Sequence, residues 1–492
     1  LVTNEADLLR WFTPDETVKT SYSTAFYSAL AYLKKSDKLW VSRAVGSGAL
    51  YAGCTLSTAT YDVDGDGTVT PGVSLATGLT DPSTYAFQAD ELLLIYAANP
   101  GAWGNDLSVE VITDQATVKE PNAFIINVYR GGVQVESWTV SRDPNKVDGY
   151  GRNIYVETVL EGSLYIRALD NRAVSTSAEM FPEAITTNPR PLASGSDGSA
   201  VTDSEMIAAL QPFYAKDTYP VTLLMDGGWA TAAYHTELLT LAETRQDCFA
   251  VLSTPYSAEA SSTYLNDIIS YKSTTLNHST SYGALYTPHV KIYDRYNDRS
   301  IYVSPDGYVA GIISETASNY EIWYPPAGPR RGQVLVLDVR RRFTPAERDQ
   351  LYDAGINPIR FVAGKGLTVW GQKTLLDRPS SLDRINVRLL LIVVEEAIRA
   401  ALEDFLFELN DATTRALVRS LIEAYLSNIK ARRGLYDFTV QCDETNNTQQ
   451  DIDNYRLNVA VYLQPTRSAE FITLNTVITR TGVSFSEVTG GV

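Results

Sequence analysis

Apolar positions recur along the chain with two periods, and the changes from one to the other divide it. Residues 3–9 (Thr-Asn-Glu-Ala-Asp-Leu-Leu) place a capping Asn ahead of an amphipathic stretch, which predicts a short helix; a second helix is predicted over 22–34 and a strand over 39–45. From 46 to about 83 apolar pairs give way to Gly, Ser, Thr, Asp and Pro. Between 85 and 168, β-branched and aromatic runs at 107–112, 123–129 and 134–140 are separated by the turns Arg130-Gly131-Gly132 and Asp143-Pro144-Asn145. That pattern predicts antiparallel β structure, and a loop of small residues, 191–200, closes it. From 202 to 318 predicted helices (203–213, 232–244, 262–273) alternate with predicted strands (221–225, 249–253, 283–286). Such alternation implies a mainly parallel sheet with helices on its faces.

Past the link Tyr324-Pro325-Pro326-Ala327-Gly328-Pro329, a strand is predicted over 333–338 and a helix opens at Thr344-Pro345-Ala346-Glu347. Two long helices follow. In the second, Leu417, Val418, Leu421, Ile422, Tyr425, Leu426 and Ile429 fall on one stripe, with Arg415, Arg419, Glu423 and Lys430 turned outward. Strands over 436–442, 457–464 and 470–479 end the chain. The predicted fold class is therefore α/β plus β and multidomain. A discontinuous α/β domain (1–48 and 195–329) is interrupted by an inserted antiparallel β domain (49–194) and followed by a C-terminal α+β domain (330–492).

The length of 492 residues fits about three domains. Lys and Arg number 41 against 58 Asp and Glu, a net charge of −17, which argues against nucleic acid and anionic membrane as partners. Cys54, Cys248 and Cys442 are too few and too dispersed for a disulfide framework or a Cys-rich zinc site, and fit a reducing compartment. The most apolar run, 389–394, is far shorter than the ~20 residues that cross a bilayer.

Catalytic patterns are sparse. His235, His278 and His289 are the only histidines, and Gly-x-Ser-x-Gly, His-Glu-x-x-His and Cys-x-x-Cys are absent. Asp226 at a strand end and His235 beyond it form the one pair that suits a hydrolase, although Asp226-Gly227-Gly228 reads more simply as a turn into the next helix. Residues 366–374 resemble a phosphate-binding loop, but Gln372 separates Gly371 from Lys373, and Leu367, Val369 and Trp370 read as a strand. Asp62, Asp64 and Asp66, with Gly67 at the sixth position, match the first half of a calcium-binding loop. Val73 stands where the bidentate Glu belongs, so calcium would need a further ligand such as Asp81 or Asp90; the competing reading is an Asx/Gly turn. No other cofactor is expected. Arg330-Arg331, Arg340-Arg341-Arg342 and Lys430-Ala431-Arg432-Arg433 concentrate positive charge in the last third and suggest an acidic protein partner.

Five motifs follow one another there: Asp353-Ala354-Gly355-Ile356-Asn357-Pro358, Trp370-Gly371-Gln372-Lys373-Thr374-Leu375, Asp383-Arg384-Ile385-Asn386-Val387-Arg388, Phe405-Leu406-Phe407-Glu408-Leu409-Asn410-Asp411, and Gly434-Leu435-Tyr436-Asp437-Phe438 running to Cys442-Asp443-Glu444-Thr445-Asn446-Asn447. In order and spacing this set resembles the tail sheath proteins of contractile bacteriophages, over about 333–482. Fainter echoes lie at 2–7, 40–45, 100–109 and 195–198.

The resemblance implies a non-enzymatic subunit of the virion tail, assembled in the host cytoplasm, that stacks in hexameric discs around a tail tube. It contracts to drive the tube through the host envelope, with energy stored in a metastable lattice. Its implied partners are neighbouring sheath subunits, the tail tube protein, and baseplate and tail terminator proteins. Terminal arms would add strands to the C-terminal sheet of neighbours. The β insert would face outward, and Arg415, Arg419, Lys430, Arg432 and Arg433 are the candidates for contact with the tube. Family members carry an N-terminal arm ahead of the Val2-Thr3-Asn4-Glu5 segment, so a chain starting there is expected to be trimmed and monomeric in solution. The sheath of an R-type tailocin or related contractile injection system is the alternative reading, and an α/β hydrolase a distant one.

Overall fold

The computed structural model describes residues 1–13, 18–20, 22–57, 60–61, 70–71, 78–88, 91–176 and 181–470. At its centre is a five-stranded sheet in the order Leu223–Met225, Phe249–Ser253, Gly283–Thr287, Ile356–Val362, Gly366–Val369. The first four strands run parallel and the last antiparallel. Phe249–Ser253 and Gly283–Thr287 are buried at every position, which is why they read as unbroken apolar runs.

Alternate residues of one strand serve two cores. Phe249 and Val251 pack with helices Ser23–Leu33 and Asp306–Asn319 and with the start of the long helix Ile385–Glu403. Ala250 and Leu252 pack instead with helix Ala232–Arg245 and with Leu351 of helix Pro345–Asp353.

The segment 330–384, expected with the C-terminal domain, contributes two strands of this sheet. Ile356, Ile359 and Val369 fill the same two layers as the earlier strands, so the boundary at 330 moves toward the first long helix. Other predicted elements shorten. Residues 39–45 form no strand, only a bridge between Leu39 and Val2. Of 333–338, Asp338 alone enters a strand, the two-residue Asp338–Val339. Helix 203–213 splits into Asp203–Ala208 and the 3-10 turn Gln211–Tyr214, whose Pro212 cannot donate a backbone hydrogen bond.

Between these parts lies antiparallel β structure. Val133–Val140, Phe124–Arg130, Leu107–Ile112 and Ile185–Pro191 form one sheet, and Gly53–Ser57, Glu91–Ala97 and Ile166–Asp170 another. Both sheets feed one core, separate from those of the central sheet.

The C-terminal region pairs helix Ile385–Glu403 with helix Ala412–Ala431 and a two-stranded ribbon, Leu435–Gln441 with Ala460–Pro465. Ile385, Leu389 and Ile392 face the central core, whereas Leu390 and Val394 face Val418, Ile422 and Leu426. One helix thus joins two cores.

Candidate assembly surface

In the ribbon, Asp437 faces Gln464 and Gln441 faces Ala460, with an irregularity after Leu435. Leu435 and Val440 are buried with Ile422 and Leu426 of the second long helix, while Tyr436 and Tyr462 are exposed. Neither strand pairs with any other among the described residues, which leaves the outer N–H and C=O groups of each without a ladder partner there; the strand expected over 470–479 lies, past Glu470, outside the described residues. Two strands alone are marginal in water, and a clasp secures these two. Asn446 Nδ2 donates to the carbonyls of Gln441 (2.9 Å) and Asn458 (3.0 Å). Buried Asn447 donates to the Asn458 carbonyl (2.9 Å) and accepts from the Asn458 N–H (2.6 Å). An amide side chain both donates and accepts, which suits Asn to this place. The Cys442 to Asn447 motif is the device that fixes the ribbon's closed end.

Three other motifs meet at a second knot. Asn357 Oδ1 accepts from the Lys373 N–H (2.8 Å), and its Nδ2 donates to the Lys373 carbonyl (2.7 Å). A Cβ on Gly371 would come within 2.5 Å of Asn357 Oδ1, so only glycine allows this approach. Beside it, Glu470 accepts from Gln372 Nε2 (2.8 Å), Arg384 Nε (2.7 Å) and Tyr352 Oη (2.7 Å). Burial alone would raise the Glu470 carboxyl; the Arg384 guanidinium and the other two donors outweigh it and hold the group below its usual range. The residues that mimic a phosphate loop therefore grip the chain beyond the ribbon. Sequence reasoning missed Glu470, since its three partners lie 86, 98 and 118 positions away.

The proposed tube-facing cations disperse. Arg415 is only 7% exposed and bonds to the Asn410 side chain (3.0 Å), so it does not face outward as its position on the helix predicts. Arg419 pairs with Glu423 (2.8 Å), Lys430 with Asp437 (2.8 Å), and Arg432 with Glu321. Arg433 is exposed just past the helix end, at φ +69°. Of the predicted stripe, Val418, Ile422, Leu426 and Ile429 are buried, but Leu417 and Leu421 are exposed. Asp62, Asp64 and Asp66 lie outside the described residues, as does Asp90, and Asp81 caps the turn Pro82–Thr84. Among the described residues no group of three His, Cys, Asp or Glu side chains could hold a metal ion.

Asp226 and His235 do meet, at 3.0 Å, and both are fully enclosed. The other ring nitrogen of His235 bonds to Tyr271 Oη (2.7 Å), and the Ser253 hydroxyl donates to Asp226 (2.7 Å) instead of facing the imidazole. Both side chains are enclosed and the Ser253 hydroxyl is turned to the carboxylate, so the cluster as it stands braces the sheet. Next to it, Asp306 accepts from Ser28 Oγ (2.8 Å) and the Gly227 N–H (2.8 Å), tying helix Ser23–Leu33 to the centre. Burial and the nearby Asp226 carboxylate push Asp306 up to about 7. His289 is buried against Glu259 (2.9 Å).

Comparison with known proteins places this architecture. The phage tail sheath protein central domain matches residues 199–375 and the phage tail sheath C-terminal domain residues 377–479, together more than half of the chain. The tail sheath protein of Enterobacteria phage T4 is 32% identical over 432 residues, covering 84% of this chain and 64% of that protein. That of Vibrio phage KVP40 is 33% identical over 398 residues, covering 75% and 57%. This chain thus spans roughly three-fifths of the length of these relatives. A sheath tail protein of Listeria innocua shares the fold at a TM-score of 0.56 and 14% identity, over 90% of this chain and 84% of that one. The break between the two matched domains, at residue 376, falls just before the first long helix, close to where the packing divides the chain. The chain belongs to the phage tail sheath protein family.

Proposed function

We propose that the chain is a structural subunit of a contractile tail sheath, located in the virion tail. It stacks with copies of itself around a tail tube and shortens to drive that tube through the host envelope. The observation that carries this reading is the ribbon whose two outer edges find no strand partner among the described residues, lying in the part of the chain that matches the sheath C-terminal domain. A strand from a neighbour can complete each edge, and every backbone hydrogen bond so formed is worth about 1 kcal/mol net. Because one patch meets a different patch on the next copy, such contacts can propagate from copy to copy, and do so as a helix where the rotation does not close. Contraction then repacks the contacts between subunits while the added strands keep neighbours tethered.

The enclosed Asp226–His235 pair supports a role without catalysis. Arg419, Lys430, Arg432 and Arg433 remain the tube-facing candidates and Arg415 leaves the set. The β insert faces outward, and the sheath ends meet the baseplate and terminator proteins. Incubating the protein with assembled tubes of its tail tube protein and viewing the mixture by negative stain tests this reading. Tubes coated to a fixed larger diameter are expected, and bare tubes at every ratio overturn it.

A further inference from the structure

The loop joining the two long helices carries a sheath motif that nothing above uses. Leu406, Phe407 and Leu409 are 65%, 105% and 77% exposed, so three large apolar side chains stand in water on one short connection. The connection is pinned: Asn410 Nδ2 donates to the Arg456 carbonyl (2.9 Å), buried Arg415 holds the Asn410 side chain (3.0 Å), and Phe405 packs inward. Phe407 is held at φ +70°, a conformation that a bulky residue adopts at a cost. Glu403, Asp404 and Glu408 surround it, exposed and without a cationic partner among the described residues.

A patch of the opposite character lies on the central region. Leu335, Leu337 and Phe361 are 82%, 63% and 58% exposed. Their backbones are linked in sequence: the Val334 N–H, one residue before Leu335, bonds to the Leu367 carbonyl (2.9 Å), Leu367 faces Phe361 across the strands, and the Leu337 N–H bonds to the Lys291 carbonyl (2.9 Å). Arg330 and Lys365 rim this patch, exposed and without a carboxylate partner among the described residues. The acidic loop follows the end of the first long helix, and both patches are exposed, so neither covers the other within one chain.

We propose that the acidic, apolar loop 405–409 of one copy docks on the basic, apolar patch around Leu335, Leu337 and Phe361 of a second copy. Opposite charge selects the partner and orients it, while the apolar residues at the centre supply the affinity. The contact is head to tail, so it can repeat from copy to copy. It is consistent with the proposed sheath lattice but uses neither ribbon edge, so it can fail or hold separately.

Cross-linking tests it. Cys54, Cys248 and Cys442 are all buried, so introduced cysteines dominate the reaction. Mixing Phe407→Cys protein with Leu335→Cys protein under a short bismaleimide should give at least fivefold more dimer than either variant alone. Adding Glu403→Lys and Glu408→Lys to the first should cut that yield at least fivefold, and Arg330→Glu with Lys365→Glu in the second should restore it. A mixture yielding no more dimer than the single variants overturns the docking, as does a yield indifferent to the charge reversals. Coated tubes without the mixed cross-link would leave the sheath reading standing and remove this contact; the cross-link without coated tubes would do the reverse.

Discussion

The five-stranded sheet and the C-terminal ribbon are built from similar strands but treat their hydrogen bonds differently. In the sheet both faces are covered by helices, and one of its two outer strands, Gly366–Val369, is bridged by Gln333 and bonded to the backbone of Gly332 and Val334. In the ribbon one face packs on a helix and both edges stay open among the described residues. The first arrangement stores stability within the chain, while the second leaves binding capacity for others. Mutations in the two regions should therefore separate folding from assembly.

The largest effect on folding belongs to the sheet. Phe249→Ala empties a fully buried site and should cost about 3–5 kcal/mol, read as a fall in the denaturant midpoint. Gly371→Ala should cost about 1–3 kcal/mol by forcing the Asn357 knot apart. A similar loss of about 1–3 kcal/mol is expected locally for Glu470→Ala, which leaves Arg384 with Asp383 as its one carboxylate partner among the described residues; faster amide exchange over 466–470 with little change in global melting would show it.

Two groups should make this stability depend on pH in opposite directions. The Glu470 carboxyl is depressed, so its contribution is full above the usual Glu range and fades as pH falls through its lower folded value. Asp306 is raised, so its contribution is full below the usual Asp range and is lost as pH climbs toward about 7. Asp306→Asn should flatten the stability profile between pH 4 and about 7 in urea titrations; a slope equal to wild type would contradict the assignment. The smallest effect on folding, within about 0.5 kcal/mol, is expected for Tyr462→Ala on the exposed side of the ribbon. If that variant were as unstable as Phe249→Ala, the contrast between the regions would collapse.

Much of the fold was legible because burial on both faces leaves a plain signature. Strand Phe249–Ser253 matches its expected bounds, and the two long helices and the ribbon appear where periodicity puts them. Of Leu367, Val369 and Trp370, read as a strand over the phosphate-loop mimic, the first two lie in the strand Gly366–Val369 and Trp370 just follows it. What stayed hidden depends on long-range partners. Ile356–Val362 looks like any short strand until Gly283–Thr287 accepts it as a neighbour. Arg415 sits on a polar helix face by spacing, yet Asn410, five residues before it, draws its side chain inward. The Glu470 knot needs Gln372 and Arg384 from two separate motifs and Tyr352 from just ahead of a third.

The central claim is that the ribbon's open edges are completed by neighbouring copies. Hydrogen exchange over 435–441 and 460–465, compared between the isolated protein and coated tubes, tests it most directly. The account predicts that edge amides exchanging quickly in the isolated protein slow by at least about a hundredfold on assembly, the mark of newly formed ladder bonds. Tubes that form with those amides still exchanging at the isolated rate would contradict it.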